Sequence, residues 1–295
     1  MRGVPLHFAA FPAVDADLHF SVNLILLRYN ILIGQDCDFS FYDIRSGTRR
    51  NRLCAAGAPV AGDLVGGNPA MIELDHLVAG YEELAITPAL SGVIATGSMT
   101  AIVGLNGCGK STLLKTLAGF IPPVSGRLRW TVSRPVIGWL AQRHALESQF
   151  PLTVQDVVSQ GAWPHVSLLG GIRSEFRRRI GAALERVGLT SMAKTPIEAL
   201  SGGQFQRMLF ARVIVQQAPL VMLDEPFTGI DEATSRELMG LILEMHQQGQ
   251  TVLAVLHDNQ RVAEYFPETL LLEPQRARWG NTDDVLPAFG SARLA

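Results

Sequence analysis

The 295-residue chain sets 25 lysines and arginines against 27 aspartates and glutamates, a formal charge of −2, so bulk electrostatics disfavour a general nucleic-acid binder. Hydrophobic residues make up 47% and charged residues 18%, too apolar for a disordered chain and enough for one large core or two smaller ones. Three cysteines, Cys37, Cys54 and Cys108, stand at no metal-ligand or disulfide spacing, which points to a reducing compartment, the cytosol by default.

In chain order, the longest apolar stretch, Phe20 to Gly34, carries Asn23, Arg28 and Asn30 and falls short of the roughly 20 apolar residues a bilayer needs. The first residues make a poor signal peptide. A role at a membrane would therefore need other chains to supply the membrane part. Residues 1 to 70 lack a sustained period and end in Gly66-Gly67-Asn68-Pro69, so they read as a weakly structured extension. Met71, where a strand-like alternation begins, could be the start of translation; a genuine N-terminal module is the alternative.

Beyond Met71, strands and helices alternate. Thr100 to Val103 is a short apolar run before a glycine-rich loop, and Ser111 to Ala118 has leucines at helical spacing closed by Gly119. Leu220 to Leu223 and Val252 to Leu256 are continuous apolar runs, as in strands buried on both faces of a parallel sheet. Between Gln142 and Leu200 the character is helical, as in Arg173 to Val187. The pattern predicts an α/β core with a helical subdomain inserted at about 143–200, and Thr269 to Leu272 as a final strand.

The stretch Gly104, Leu105, Asn106, Gly107, Cys108, Gly109, Lys110, Ser111, with Thr112 next, fits GxxxxGK[ST] between a strand and a helix. Backbone N–H groups of such a loop curl around phosphate oxygens and the following helix N-terminus adds partial positive charge. Lys110 is placed to reach the β- and γ-phosphates and Ser111 to offer a hydroxyl to Mg²⁺. Asp224 and Glu225 end an apolar strand where phosphates lie in such folds, making Asp224 the magnesium candidate and Glu225 the general base. Ser201, Gly202, Gly203 and Gln204 open a helical stretch through Val215, a pattern that an ordinary serine helix cap would also give. Cys108 is either a thiol activated by the electropositive loop or an inert small residue facing away.

Phosphate loop, Ser-Gly-Gly-Gln and strand-end Asp-Glu, in that order, resemble the ATPase subunit of an ATP-binding-cassette (ABC) transporter over about Met71 to Leu286. The resemblance implies a P-loop NTPase core with a mostly parallel sheet, an N-terminal antiparallel β part and an inserted α-helical subdomain, together spanning 71–290. It further implies that Gln142 touches Mg²⁺ and relays to the permease, that Asp231 crosses a dimer interface, that His257 meets the γ-phosphate and that Tyr81 stacks on adenine. ATP would then lie between the phosphate loop of one copy and the Ser201–Gln204 segment of the other, in a homodimer working with integral-membrane permease subunits at the cytoplasmic face of the membrane. The segments from Gln149 to Val158 and from Glu225 to Asp231 are similar to those of importers of zinc, manganese or iron, which also use a periplasmic or extracellular metal-binding protein. Two other classes stay open: a soluble cassette ATPase acting on nucleic acid or ribosomes, for which Arg173, Arg177, Arg178 and Arg179 could be cited, and an inactive module that uses ATP only to dimerise. A solvated helix face accounts for the arginines, and the presence of both Glu225 and His257 favours turnover.

Overall fold

The computed structural model describes residues 64–65, 68–141, 152–165 and 174–287. Its first sheet is antiparallel: β1 (Leu64–Val65), β2 (Asn68–Val78), β5 (Leu90–Ala95) and β7 (Ser125–Trp130), with β2 pairing all three others. Strand β2 begins at Asn68, three residues before Met71. Those residues are tied in, because Thr96 N–H donates to the Pro69 carbonyl at 2.8 Å and Thr131 Oγ1 to the Ala70 carbonyl at 2.5 Å. A two-residue hairpin, β3 (Gly80–Tyr81) and β4 (Leu84–Ala85), lies between β2 and β5.

The second sheet has six strands in the order β12-β11-β6-β10-β9-β8. Strands β6 (Met99–Gly104), β8 (Ile137–Leu140), β9 (Leu220–Asp224), β10 (Thr251–Val255) and β11 (Glu268–Leu272) run parallel. Every residue of β9 and β10 is buried, as their unbroken apolar runs require of strands covered on both faces. Strand β11 is not the last: β12 (Ala277–Asn281) returns antiparallel along it, and the short helix Thr282–Val285 follows. Arg278, Gly280 and Asn281 interrupt any apolar run in β12, which is why the sequence pattern does not announce it.

Helix α1 (Lys110–Leu117) lies between the two sheets. Its Leu113, Leu114 and Leu117 join Ile72, Leu77, Leu90 and Ile94 of the antiparallel sheet and Met222, Leu253, Val255 and Leu270 of the parallel one in a single core cluster. Burying each such side chain contributes about 1.5–3 kcal/mol.

The part between β8 and β9 is helical in its described residues, with one isolated bridge, Thr153 to Pro196. Helix α2 (Val154–Ser159) starts with a Thr153/Asp156 capping box, and α3 (Ser174–Arg186) buries Phe176, Ile180, Ala183 and Leu184, one face at helical spacing. Both pack on α4 (Gly202–Gln216). A Cβ on Gly161 would stand 2.2 Å from the Arg212 carbonyl, so glycine is what lets the turn after α2 reach α4. Helices α5 (Glu232–Gln247) and α6 (Asn259–Tyr265) follow β9 and β10.

Candidate nucleotide site

Strand β6 ends at Gly104 and α1 begins after Gly109, whose φ of 92° lies in the left-handed region. No side chain caps α1, so its first N–H groups are free of any side-chain acceptor. Gly107 has φ 81° and a Cβ there would meet no atom within 4 Å, an open hollow at the turn of the loop. Lys110 is 5% exposed and donates from Nζ to the carbonyls of Gly104 and Leu105, both at 2.9 Å, which holds its ammonium inside the loop. Leu105 and Asn106 are exposed at the outer side, and Thr112 is buried at the start of the helix.

Parallel pairing of β6 with β10 and of β10 with β9 brings the strand ends together at one edge of the sheet. Ser111 Oγ donates to Asp224 Oδ1 at 2.8 Å. Asp224 is 2% exposed, and burial pushes its carboxyl above the usual range; the Ser111 bond opposes this, the Glu225 charge adds to it, and Lys115 and Lys110 pull it back down. A buried carboxylate beside a hydroxyl is a set of hard oxygen donors, so Ser111 and Asp224 fit the Mg²⁺ that accompanies a nucleotide. The chain then turns sharply: Glu225 has φ 51°, a left-handed conformation uncommon for this residue type. Its Oε1 lies 2.7 Å from His257 Nε2, and Thr228 Oγ1 donates to its Oε2 at 3.2 Å. Glu225 and His257, 32 positions apart in the chain, meet because β9 and β10 are neighbours.

A second group forms away from this one. Ser201 is the N-cap of α4: its Oγ accepts from Gln204 N–H at 3.3 Å and Gln204 Oε1 accepts from Ser201 N–H at 2.9 Å, a capping box. These residues, with Gly202 and Gly203, line an open pocket of about 370 Å³ bounded across from them by Gly229, Asp231 and Thr234. Asp231 is the N-cap of α5 and accepts from Thr234 N–H at 2.9 Å and from Thr234 Oγ1 at 2.8 Å; those two bonds hold its carboxyl below the ordinary range. No residue of the phosphate loop lines this pocket. Gln206 Nε2 donates to the Pro226 carbonyl at 2.7 Å, joining α4 to the segment after Glu225.

Residues 89–228 match the ABC transporter family model. The manganese transport system ATP-binding protein MntB of Bacillus subtilis is 37% identical over 72% of this chain and 88% of its own length. The zinc transport system ATP-binding protein TroB of Treponema pallidum is 39% identical over 68% of this chain and 77% of its own. A bacterial ABC transporter cassette solved as a dimer superposes with a TM-score of 0.63 at 25% identity, covering 72% of this chain and 99% of the other. The chain belongs to the ABC transporter ATPases.

As an ABC ATPase it binds and hydrolyses ATP in the service of a transport system. No helix among the described residues is long and apolar enough to cross a membrane. Tyr81 sits in the β3–β4 hairpin, 45% exposed, paired with Leu84 at 69%. Sequence reasoning missed what fixes this hairpin. Thr87 Oγ1 accepts from Ala79 N–H at 2.8 Å, closing the hairpin base, and the methyl groups of Ile86 and Thr87 lie where a Cβ on Gly109 would fall. The residues just beyond the hairpin thus lie close against Gly109 of the phosphate loop. A buried threonine beyond a hairpin is the only signal the sequence offers.

Cys108 Sγ lies close to Gly104 and packs against the core cluster, the side-chain direction that the inert reading requires. Gln142, and the segment from Gln149 to Pro151, lie outside the described residues. Arg177 and Arg178 lie on the exposed face of α3, whereas Arg179 pairs with Glu175 and stacks on Phe176 at 5.2 Å; Arg173 is outside the described residues. Thr228, which donates to Glu225, lies within the segment Glu225 to Asp231, but no motif assigns it that contact.

Proposed function

We propose that this chain is the ATP-hydrolysing subunit of a divalent-metal importer, acting as a homodimer bound to separate membrane permease subunits at the cytoplasmic face of the membrane. Manganese or zinc is the cargo class favoured, on the strength of relatives that are manganese and zinc transport system ATP-binding proteins at 37% and 39% identity. A periplasmic or extracellular metal-binding protein would deliver that cargo. The observation that carries the mechanism is the meeting of Lys110, Ser111, Asp224, Glu225 and His257 at the ends of β6, β9 and β10.

In this reading the loop from Gly104 to Thr112 holds the phosphates of ATP through its N–H groups, Lys110 neutralises their charge and Tyr81 lies against the base. Ser111 and Asp224, with Gln142, would hold Mg²⁺, which supplies charge neutralisation at the phosphates when bound. Glu225 Oε accepts a proton from the water that attacks the γ-phosphate, while His257 Nε2 fixes that carboxylate and contacts the phosphate. Ser201 to Gln204 of the second copy complete the site: the N–H groups of Gly202 and Gly203 and the Ser201 hydroxyl are donors, and Asp231 helps hold the two copies together. Within one chain the Ser201 pocket has no phosphate loop on its lining, which supports a site shared between two copies.

The test is ATP-driven pairing. In a Glu225→Gln background, the chain should elute as a dimer with ATP and as a monomer without it. Adding Gly202→Trp should abolish the dimer yet leave ATP affinity of the monomer within about twofold. A loss of monomer ATP affinity instead would place Gly202 in the chain's own site and overturn the shared arrangement. Uptake of radiolabelled manganese or zinc by the assembled native transporter should stop with Glu225→Gln; no uptake of either metal by the native transporter would overturn the cargo reading.

A further inference from the structure

Arg261 lies in the first turn of α6 and is drawn in, with only 12% of its side chain exposed. It reaches three different segments. Its guanidinium carbon stands 4.8 Å from the centre of the Phe227 ring, its Nη2 donates to Glu232 Oε2 at 2.9 Å, and its Nε lies 3.9 Å from Asp258 Oδ2. Each partner is a close chain neighbour of a residue in the reading above: Phe227 is two after Glu225, Glu232 one after Asp231, and Asp258 one after His257.

We infer that Arg261 is a positioning residue for hydrolysis, a single cation that holds the segments carrying Glu225, Asp231 and His257 in mutual register. An arginine suits this task because its flat guanidinium stacks on a ring with one face while its edge donates to carboxylates in the same plane. The carboxylates it meets are each more than half exposed, so as a plain surface pair the contact would add little stability. The stack on Phe227 and the low exposure of the guanidinium distinguish it. Asp258 also accepts from the N–H groups of Gln260 and Arg261 at 3.0 and 3.1 Å, so the turn after His257 and the arginine are set together. Glu232 is shared with Arg236 at 3.7 Å, so that pairing is partly duplicated and the stack on Phe227 is the sharper contact to test.

This inference rests on the proposed roles of Glu225, Asp231 and His257, and its test separates the two. The full chain with Arg261→Met, Arg261→Lys and Phe227→Leu would be assayed for kcat, KM, monomer ATP affinity and melting temperature, with Glu225→Gln alongside. Arg261→Met is expected to lower kcat roughly tenfold while KM and monomer ATP affinity stay within twofold, since the phosphate loop is untouched. Arg261→Lys should recover part of kcat by restoring charge without the stack. Phe227→Leu should lower kcat in the same sense, and combining it with Arg261→Met should cost less than the product of the two. A kcat within twofold of the native value in Arg261→Met, with a lowered melting temperature, would reduce Arg261 to a structural contact and overturn the inference. A Glu225→Gln variant with native kcat would instead overturn the base assignment. If Arg261→Met does not fold, the Lys and Leu variants carry the same comparison, and native kcat in both would overturn it.

Discussion

Two helix N-termini in this molecule carry polar loops and differ in how they are finished. Helix α1 leaves Gly109 with no side-chain cap, and around it the chain gathers Lys110, Asp224, Glu225 and His257. Helix α4 is closed by its own Ser201/Gln204 box and opens onto a pocket with Asp231 and Thr234 across from it, but no phosphate loop. One end carries no side-chain cap and stands beside Asp224, Glu225 and His257; the other is closed by its own cap and lacks them. In the proposed reading, the α1 end of one copy meets the α4 end of the next.

The largest expected break in that contrast is Glu225→Gln. It should lower turnover at least a hundredfold, the usual scale for losing a general base, while ATP binding persists, as a steady-state ATPase assay and a binding titration would record. Near-native turnover would remove Glu225 from the α1 end altogether. Tyr81→Ala should act only on ATP affinity, weakening it about tenfold, the scale of one lost base-to-ring stack, with no change in how α4 pairs. Unchanged ATP affinity would detach the β3–β4 hairpin from the nucleotide.

Smaller effects come from the two aspartates, which differ in sign. Burial raises the carboxyl of Asp224 in the folded chain, so below its unfolded pKa it carries no penalty, and stability is lost as pH rises through the folded value. Nucleotide-free Asp224→Asn should therefore melt above the native chain at pH 7.5, with the gap narrowing toward pH 4. Hydrogen bonds from Thr234 lower the carboxyl of Asp231, so its contribution is present above the unfolded pKa and disappears as pH falls through the folded value. Asp231→Ala should melt below the native chain at neutral pH, and that gap should also close in acid. Melting curves at four pH values would show it; two gaps of the same sign would dissolve the contrast. The smallest effect is expected at Cys108, whose Sγ packs toward Gly104. Cys108→Ala should keep full activity, and maleimide should label the native chain slowly and equally with or without MgATP. Rapid labelling that MgATP blocks would turn this thiol toward the phosphates instead.

The residues that could be read in the sequence are those whose job is local. The phosphate loop needs its glycines at fixed spacing, and β9 and β10 need unbroken apolar runs because both faces are covered. In sequence Ser201 fits either a helix cap or a ligand group, and in the structure it is a cap at the edge of an open pocket, compatible with both. What stays illegible depends on folding: Arg261 meets partners 3, 29 and 34 positions away, and Thr87 reaches Gly109 past strands β5 and β6. Strands β7 and β12, broken by Arg127, Arg129 and Arg278, have one face toward solvent and no continuous apolar run. Strand β2 starts at Asn68, before Met71, and Pro69 and Ala70 offer carbonyls to Thr96 and Thr131, partners that local patterning around Met71 does not contain.

Strand β8 stands at one margin of the six-stranded sheet, where unpaired carbonyls invite a stray strand to add on. Two of them are taken: Arg212 Nη2 donates to the Trp139 carbonyl at 2.9 Å and Gln216 Nε2 to the Ile137 carbonyl at 3.0 Å. Both donors come from α4, which thus serves as a guard rail along the margin. Sheet extension, a route to uncontrolled self-assembly, is blunted on this side. If the chain pairs with a second copy as proposed, this margin is closed to that meeting, which is left to the faces that carry the nucleotide site.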